Sequence, residues 1–250
     1  MKRLLPGLSV VAAMLFVASS ALAGGLNLAW NNCLSEGGFA ARTSACLLNG
    51  GTNQLVGSFI PNADIAGVTG IEVVCDLIVG DGTSNIPPWW EINGVGACRP
   101  GSLVANGTVN AANAVCIDWA SGAAAGGLAA YNTGGTIATA NQPAHRRFVI
   151  GMAVPALSAA NLVATQEYFA FNALINNAKT VGTPNCAGCS TPVCVVLNSI
   201  NVVPGTATAQ FIGAGTTAAS NFALWQGVGP SCALVPTKNA TWGQVKSLYH

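Results

Sequence analysis

Between Glu167 and Pro204 the chain carries two runs in which apolar side chains recur at every second position, and three of its nine cysteines fall in the same stretch. In the first run Phe169, Phe171, Ala173 and Ile175 share one face, and Tyr168, Ala170, Asn172 and Leu174 share the other. A period of two is the signature of a strand with one face on a core. Asn176-Asn177 and Gly182 end it, since both residue types accept turn dihedrals at little cost. The second run starts after Pro192. Val193, Val195 and Leu197 share a face, and Ile200 and Val202 then take up the opposite parity, which predicts a bulge at Asn198-Ser199. Two strands joined by a cystine-bearing loop are therefore expected here, with the other elements packed around them.

The same pattern extends along the chain. Strands are predicted at Gly25–Trp30, Asn53–Ile60, Ile71–Val79, Arg146–Val154, Ala207–Ile212 and Asn221–Trp225, with a hairpin inside Leu103–Val115. Asp118–Tyr131 is rich in Gly and Ala and reads as a short helical turn or an irregular crossing. Thr241-Trp-Gly-Gln244 matches a capping box, which predicts a short helix bringing Trp242, Val245 and Tyr249 to one side. The expected fold is all-β, a single jelly-roll-like β-sandwich with a short C-terminal helix, stapled by disulfides.

Residues 1–23 have the form of a signal peptide: Lys2 and Arg3, an apolar stretch, then Ala21-Leu22-Ala23 before Gly24. The expected organisation is signal peptide 1–23, sandwich 24–235 and helical tail 236–250. The protein is expected to be secreted, periplasmic or on the cell surface, with no membrane span after signal cleavage. Without Lys2 and Arg3, seven basic residues face eight acidic ones. Charged residues make up 7% of the chain, against about 25% in ordinary soluble domains. Such a surface has no electrostatic footprint for nucleic acid.

Cysteines in an exported chain argue for disulfides. Pairing across short excursions gives Cys33–Cys46 and Cys98–Cys116. Cys186, Cys189, Cys194 and Cys232 supply two more bonds, with Cys186–Cys194 and Cys189–Cys232 favoured among three connectivities. Cys75 shares the inward parity of Ile71, Val73, Leu77 and Val79 and is left as a buried free thiol. The Cys186-Ala-Gly-Cys189 spacing lacks the helix-start setting of a redox pair and the fourth ligand of a zinc site.

Catalytic chemistry is thinly provided. The histidines are His145 and the terminal His250, and no Gly-x-Ser-x-Gly elbow occurs after residue 23. No cofactor or metal is expected; the Asp81–Asn85 turn lacks the carboxylates of a calcium loop. A hydrolase would need two of Asp64, Asp76, Asp81, Glu91, Asp118 and Glu167 to converge in one cleft with His145. Pro87-Pro88-Trp89-Trp90-Glu91-Ile92 is the one candidate binding segment. Neighbouring residues of a strand face opposite ways, so one ring is expected in the core and the other at least partly accessible. Trp89, Trp90 and Glu91 are thus candidate ligand contacts, a ring platform with one polar neighbour; the alternative is plain packing of both rings.

The residues Gly25-Leu-Asn-Leu-Ala-Trp-Asn-Asn-Cys33, Glu167–Thr180, Cys186-Ala-Gly-Cys189, Pro192–Ile200 and Thr241–Tyr249 together resemble a family of uncharacterised secreted bacterial proteins. The resemblance covers most of the chain after residue 23 and implies no catalytic residues. More loosely, the strand–Ala-Lys–Gly–strand order is similar to the late strands of cohesin-like jelly-roll sandwiches, which bears on fold alone. The function expected is a secreted, non-catalytic module that binds a partner protein or glycan or packs into a surface structure; the alternative is a secreted hydrolase using scattered acids.

Overall fold

The computed structural model describes residues 25–79, 84–108, 116–132, 144–205, 208–213 and 220–227. The predicted signal peptide, the Cys232 position and the predicted C-terminal helix lie outside these residues. The described chain is all-β, as expected. Its strands are β1 (Gly25–Trp30), β2 (Ala41–Arg42), β3 (Thr52–Ile60), β4 (Ile65–Val79), β5 (Leu103–Asn106), β6 (Ile117–Asp118), β7 (Ala125–Asn132), β8 (His145–Ala153), β9 (Ala160–Leu162), β10 (Tyr168–Asn176), β11 (Val193–Pro204), β12 (Gln210–Gly213) and β13 (Phe222–Trp225).

They form two sheets. The first has the order β1-β3-β10-β5, with β6 also on β10. The second runs β2-β13-β11-β4-β8-β7, with β12 on β11 and β9 on β4. The two strands of the opening stretch, β10 and β11, sit in opposite sheets, so the loop between them crosses one end of the sandwich. Between the sheets lies one apolar core that takes Leu28, Leu55 and Phe171 from the first sheet and Val73, Cys75, Ile150 and Val195 from the second.

Alternation sets these faces, and bulges interrupt it. The bulge expected in β11 is present between Leu197 and Ser199. A second one, between Phe169 and Phe171, was not legible. It turns Phe169 to the outer face, where it packs with Cys33, Val56 and Cys116, while Phe171 keeps to the core. Gly57 lies opposite Phe171, and a Cβ on Gly57 would come within 2.0 Å of that ring. The absence of a side chain is what lets the ring lie against β3.

Two expectations about elements need correction. Pro87–Ile92 is not a strand: Pro88–Trp90 is a turn of 3-10 helix, which the fixed φ of proline enters easily. The hairpin expected inside Leu103–Val115 falls largely outside the described residues; within them, β5 pairs with β10. The Gly/Ala-rich segment contains strand β7, paired along its length to β8. Gly126 fits there because a Cβ would stand 2.1 Å from the Gly151 carbonyl oxygen; small residues were selected by close approach, not by loop irregularity.

Candidate functional site: the cystine-tied end of the sandwich

Three connections meet at one end: residues 43–51 before β3, 86–102 before β5, and 177–192 between β10 and β11. Two disulfides join them. Cys46–Cys189 ties the first to the third and Cys98–Cys186 the second to the third, with Cα–Cα distances of 5.9 and 6.0 Å. A third bond, Cys33–Cys116 at 6.1 Å, lies on the outer face of the first sheet.

These bonds overturn the expected pairing. Cys33–Cys46, Cys98–Cys116, Cys186–Cys194 and Cys189–Cys232 are each excluded, because at least one member is bonded elsewhere. The three observed bonds span 83 to 143 residues, not short loops. Sequence proximity misled because strand pairing and loop crossings bring together cysteines that are far apart in the chain. Cys194 is disulfide-bonded as well. Cys75 is a buried free thiol. Burial holds its ionisation well above the usual thiol range, with the neighbouring Asp76 charge adding to it.

Beneath the tied loops, four tryptophans pack as one group. Trp225 lies at its centre, 5.3 Å from Trp89, 5.6 Å from Trp90 and 5.8 Å from Trp30 between ring centroids. All four are fully buried. Both Trp89 and Trp90 are therefore core, and the expected ring platform is corrected: in a 3-10 turn, side chains do not alternate between two faces, so both rings turn inward. Glu91 forms an ion pair with Arg146.

The indoles hold the loops from below. Trp225 donates Nε1–H to the Cys189 carbonyl at 2.6 Å, and Trp89 donates to Thr180 Oγ1 at 2.8 Å. Gln226 donates to the Ser44 and Cys189 carbonyls and accepts from the Ser44 amide. Arg99, 1% exposed, stacks 3.6 Å above the Trp89 ring centroid. It donates to the carbonyls of Trp89 and Asn176, and no carboxylate pairs with it among the described residues. Burial lowers its pKa to about 10, so it stays charged at neutral pH, stabilised by carbonyl dipoles and the ring face.

Above this layer, the loops leave a cleft of about 320 Å³ lined by Cys46, Leu47, Leu48, Asn177, Thr180 and Cys189, among others. Leu47 and Leu48 are each 72% exposed. Sequence reading passed over them because two leucines in an Asn/Gly-rich loop carry no periodicity. The one available signal was their position directly after Cys46.

The acids do not converge. Asp76 accepts two bonds of 2.7 Å from Arg147, while Glu91 takes Arg146. Arg146 and Arg147 are neighbours on β8, so their side chains leave opposite faces of the strand. Asp118 accepts from the amides of Ala120 and Gly122, and Asp64 from that of Ala164. Glu167 accepts from Asn27 Nδ2 at 2.7 Å and Ser58 Oγ at 2.6 Å. Asp81 lies outside the described residues. Among the described residues no group of three or more His, Cys, Asp or Glu side chains is arranged to hold a metal, and no helix is long and apolar enough to cross a membrane. No family model, no curated protein and no solved structure matches the chain.

Proposed function

We propose that the protein is an exported, non-catalytic binding module, and that its contact surface is the cystine-tied loop end, taking a protein partner that offers an apolar side chain. The observation that carries this reading is the pairing of an apolar cleft with two exposed leucines on a segment clamped by a disulfide. Apolar area that stays wet in the free protein and is already held in place gives about 25 cal/mol per Å² when covered, with little ordering cost. A glycan partner draws less support, because the rings that would stack on a sugar are in the core. Packing into a surface structure would use the same apolar end.

The acids support a non-catalytic reading over the hydrolase alternative. Asp64, Asp76, Glu91, Asp118 and Glu167 each accept a hydrogen bond or ion pair from a backbone amide or a side chain of the fold itself. Export is supported by the signal-like residues 1–23 and by the disulfides, which persist in oxidising compartments.

The test is panning a random peptide display library and a glycan array against the oxidised chain. Enriched peptides should carry a large apolar residue, and Leu47→Ser with Leu48→Ser should weaken them about tenfold or more, as loss of central apolar contacts does, with Tm unchanged. Peptides or glycans that bind the double variant equally well would reject this surface. Turnover in a hydrolase screen that disappears in Glu91→Gln or Asp76→Asn would favour the enzyme instead.

A further inference from the structure

We propose that the segment 228–250 docks on the outer face of the second sheet, tethered there by a bond between Cys194 and Cys232. The face itself points to a cover. Ile78, Cys194 and Val196 have the parity that turns away from the core, yet they are 2%, 2% and 4% exposed. With Phe222 and Leu224 they form an apolar cluster separate from the main core, and all five residues belong to the sheet itself, on β4, β11 and β13. Cys194 lies opposite both Ile78 and Leu224, and Val196 opposite Phe222, so the patch is continuous across three strands.

The thiol count identifies the occupant. Six of the nine cysteines are bonded to one another and Cys75 is free. Cys194 is bonded, and the one cysteine left to bond it within the chain is Cys232. Reach allows it. Leu224 faces Cys194 in register, and Gly227 is three residues on, about 10 Å along a strand. The five residues from Gly227 to Cys232 span up to roughly 17 Å, enough to turn back over the sheet. Beyond Cys232 the sequence supplies Leu234, Val235, Trp242, Val245, Leu248 and Tyr249, apolar side chains matching an apolar face.

Two measurements on the oxidised full-length protein decide it. Peptide mapping without reduction should find the Cys194 and Cys232 peptides linked; Cys232 alkylated as a free thiol, or linked elsewhere or to a second copy, would overturn the proposal. In hydroxyl-radical footprinting, ending the chain after Gly227 should raise labelling of Phe222 and Leu224 at least fivefold while core Phe171 stays protected. Unchanged labelling of the two residues would overturn it, as would protection in the full chain that vanishes on dilution, which would make a second copy the cover. Should the shortened chain lose protection at Phe171, Trp242→Ser in the full chain takes its place. It should then raise Phe222 labelling at least twofold, and no rise would contradict the docking.

Discussion

The body of the sandwich and its tied end are held by different means. In the body, β3, β4, β10 and β11 bury alternate aliphatic and aromatic side chains along paired strands, and each residue's place follows from its parity. At the end, residues 43–51, 86–102 and 177–192 have almost no regular pairing. Order there comes from two long-range disulfides, four packed indoles and a buried arginine bonded to carbonyls. The difference teaches that a surface without secondary structure can still be pre-organised, provided its backbone polar groups have fixed partners.

The largest effect is expected where the two regions differ most. Replacing Cys46 and Cys189 by Ala removes a bond across 143 residues, for which the chain-entropy model gives about 5 kcal/mol. Denaturant unfolding should show a loss of about that size, and a loss below about 1 kcal/mol would mean that the indoles alone hold the end. Trp225→Ala comes next. It removes a fully buried ring and the donor to the Cys189 carbonyl, so a loss of roughly 3–5 kcal/mol is expected. Full stability in that variant would break the picture of a ring-supported loop layer.

The smallest effect belongs to the body and depends on pH. Cys75 stays protonated in the folded sheet, because burial raises its pKa above the ordinary 9.0. In the unfolded chain the thiol ionises above about pH 9, so stability is lost as pH rises from there towards the folded pKa. The slope contributed is about 1.4 kcal/mol per pH unit. Cys75→Ala should lose about 1 kcal/mol or so at pH 7, and its disadvantage should shrink as pH rises past 9. Parallel stability–pH curves for the two proteins would contradict a buried thiol.

Legibility in the sequence followed the same division. Gly25–Trp30 coincides with β1 and Asn53–Ile60 falls within β3, because a half-buried strand writes its alternation into adjacent residues. Cys75 could be placed inward for the same reason. β7 was hidden because Ala125-Gly-Gly-Leu carries none of the β-branched or aromatic residues that mark strands, and the neighbouring β8 imposes its conformation. The tied end was the least legible part. Trp89 and Trp90 are oriented by a 3-10 turn and by Trp225, which is more than 130 residues away in the chain. The bond partners of Cys46 and Cys98 depend on which crossovers share an end of the sandwich, and no local pattern records that.

Amide hydrogen exchange on the oxidised chain, resolved across residues 177–192 and 168–176, tests most directly whether the tied end is ordered in advance. The amides of Thr180, Cys186 and Thr191 donate to the carbonyls of Asn177, Lys179 and Gly188. They should exchange within about tenfold of the slow amides of β10, since locally protected segments approach the stability of the elements they are tied to. Reduction of the disulfides should accelerate 177–192 at least roughly a hundredfold while β10 changes far less. Exchange of 177–192 at unprotected rates with the disulfides intact would contradict a pre-organised surface, and with it the proposed binding face.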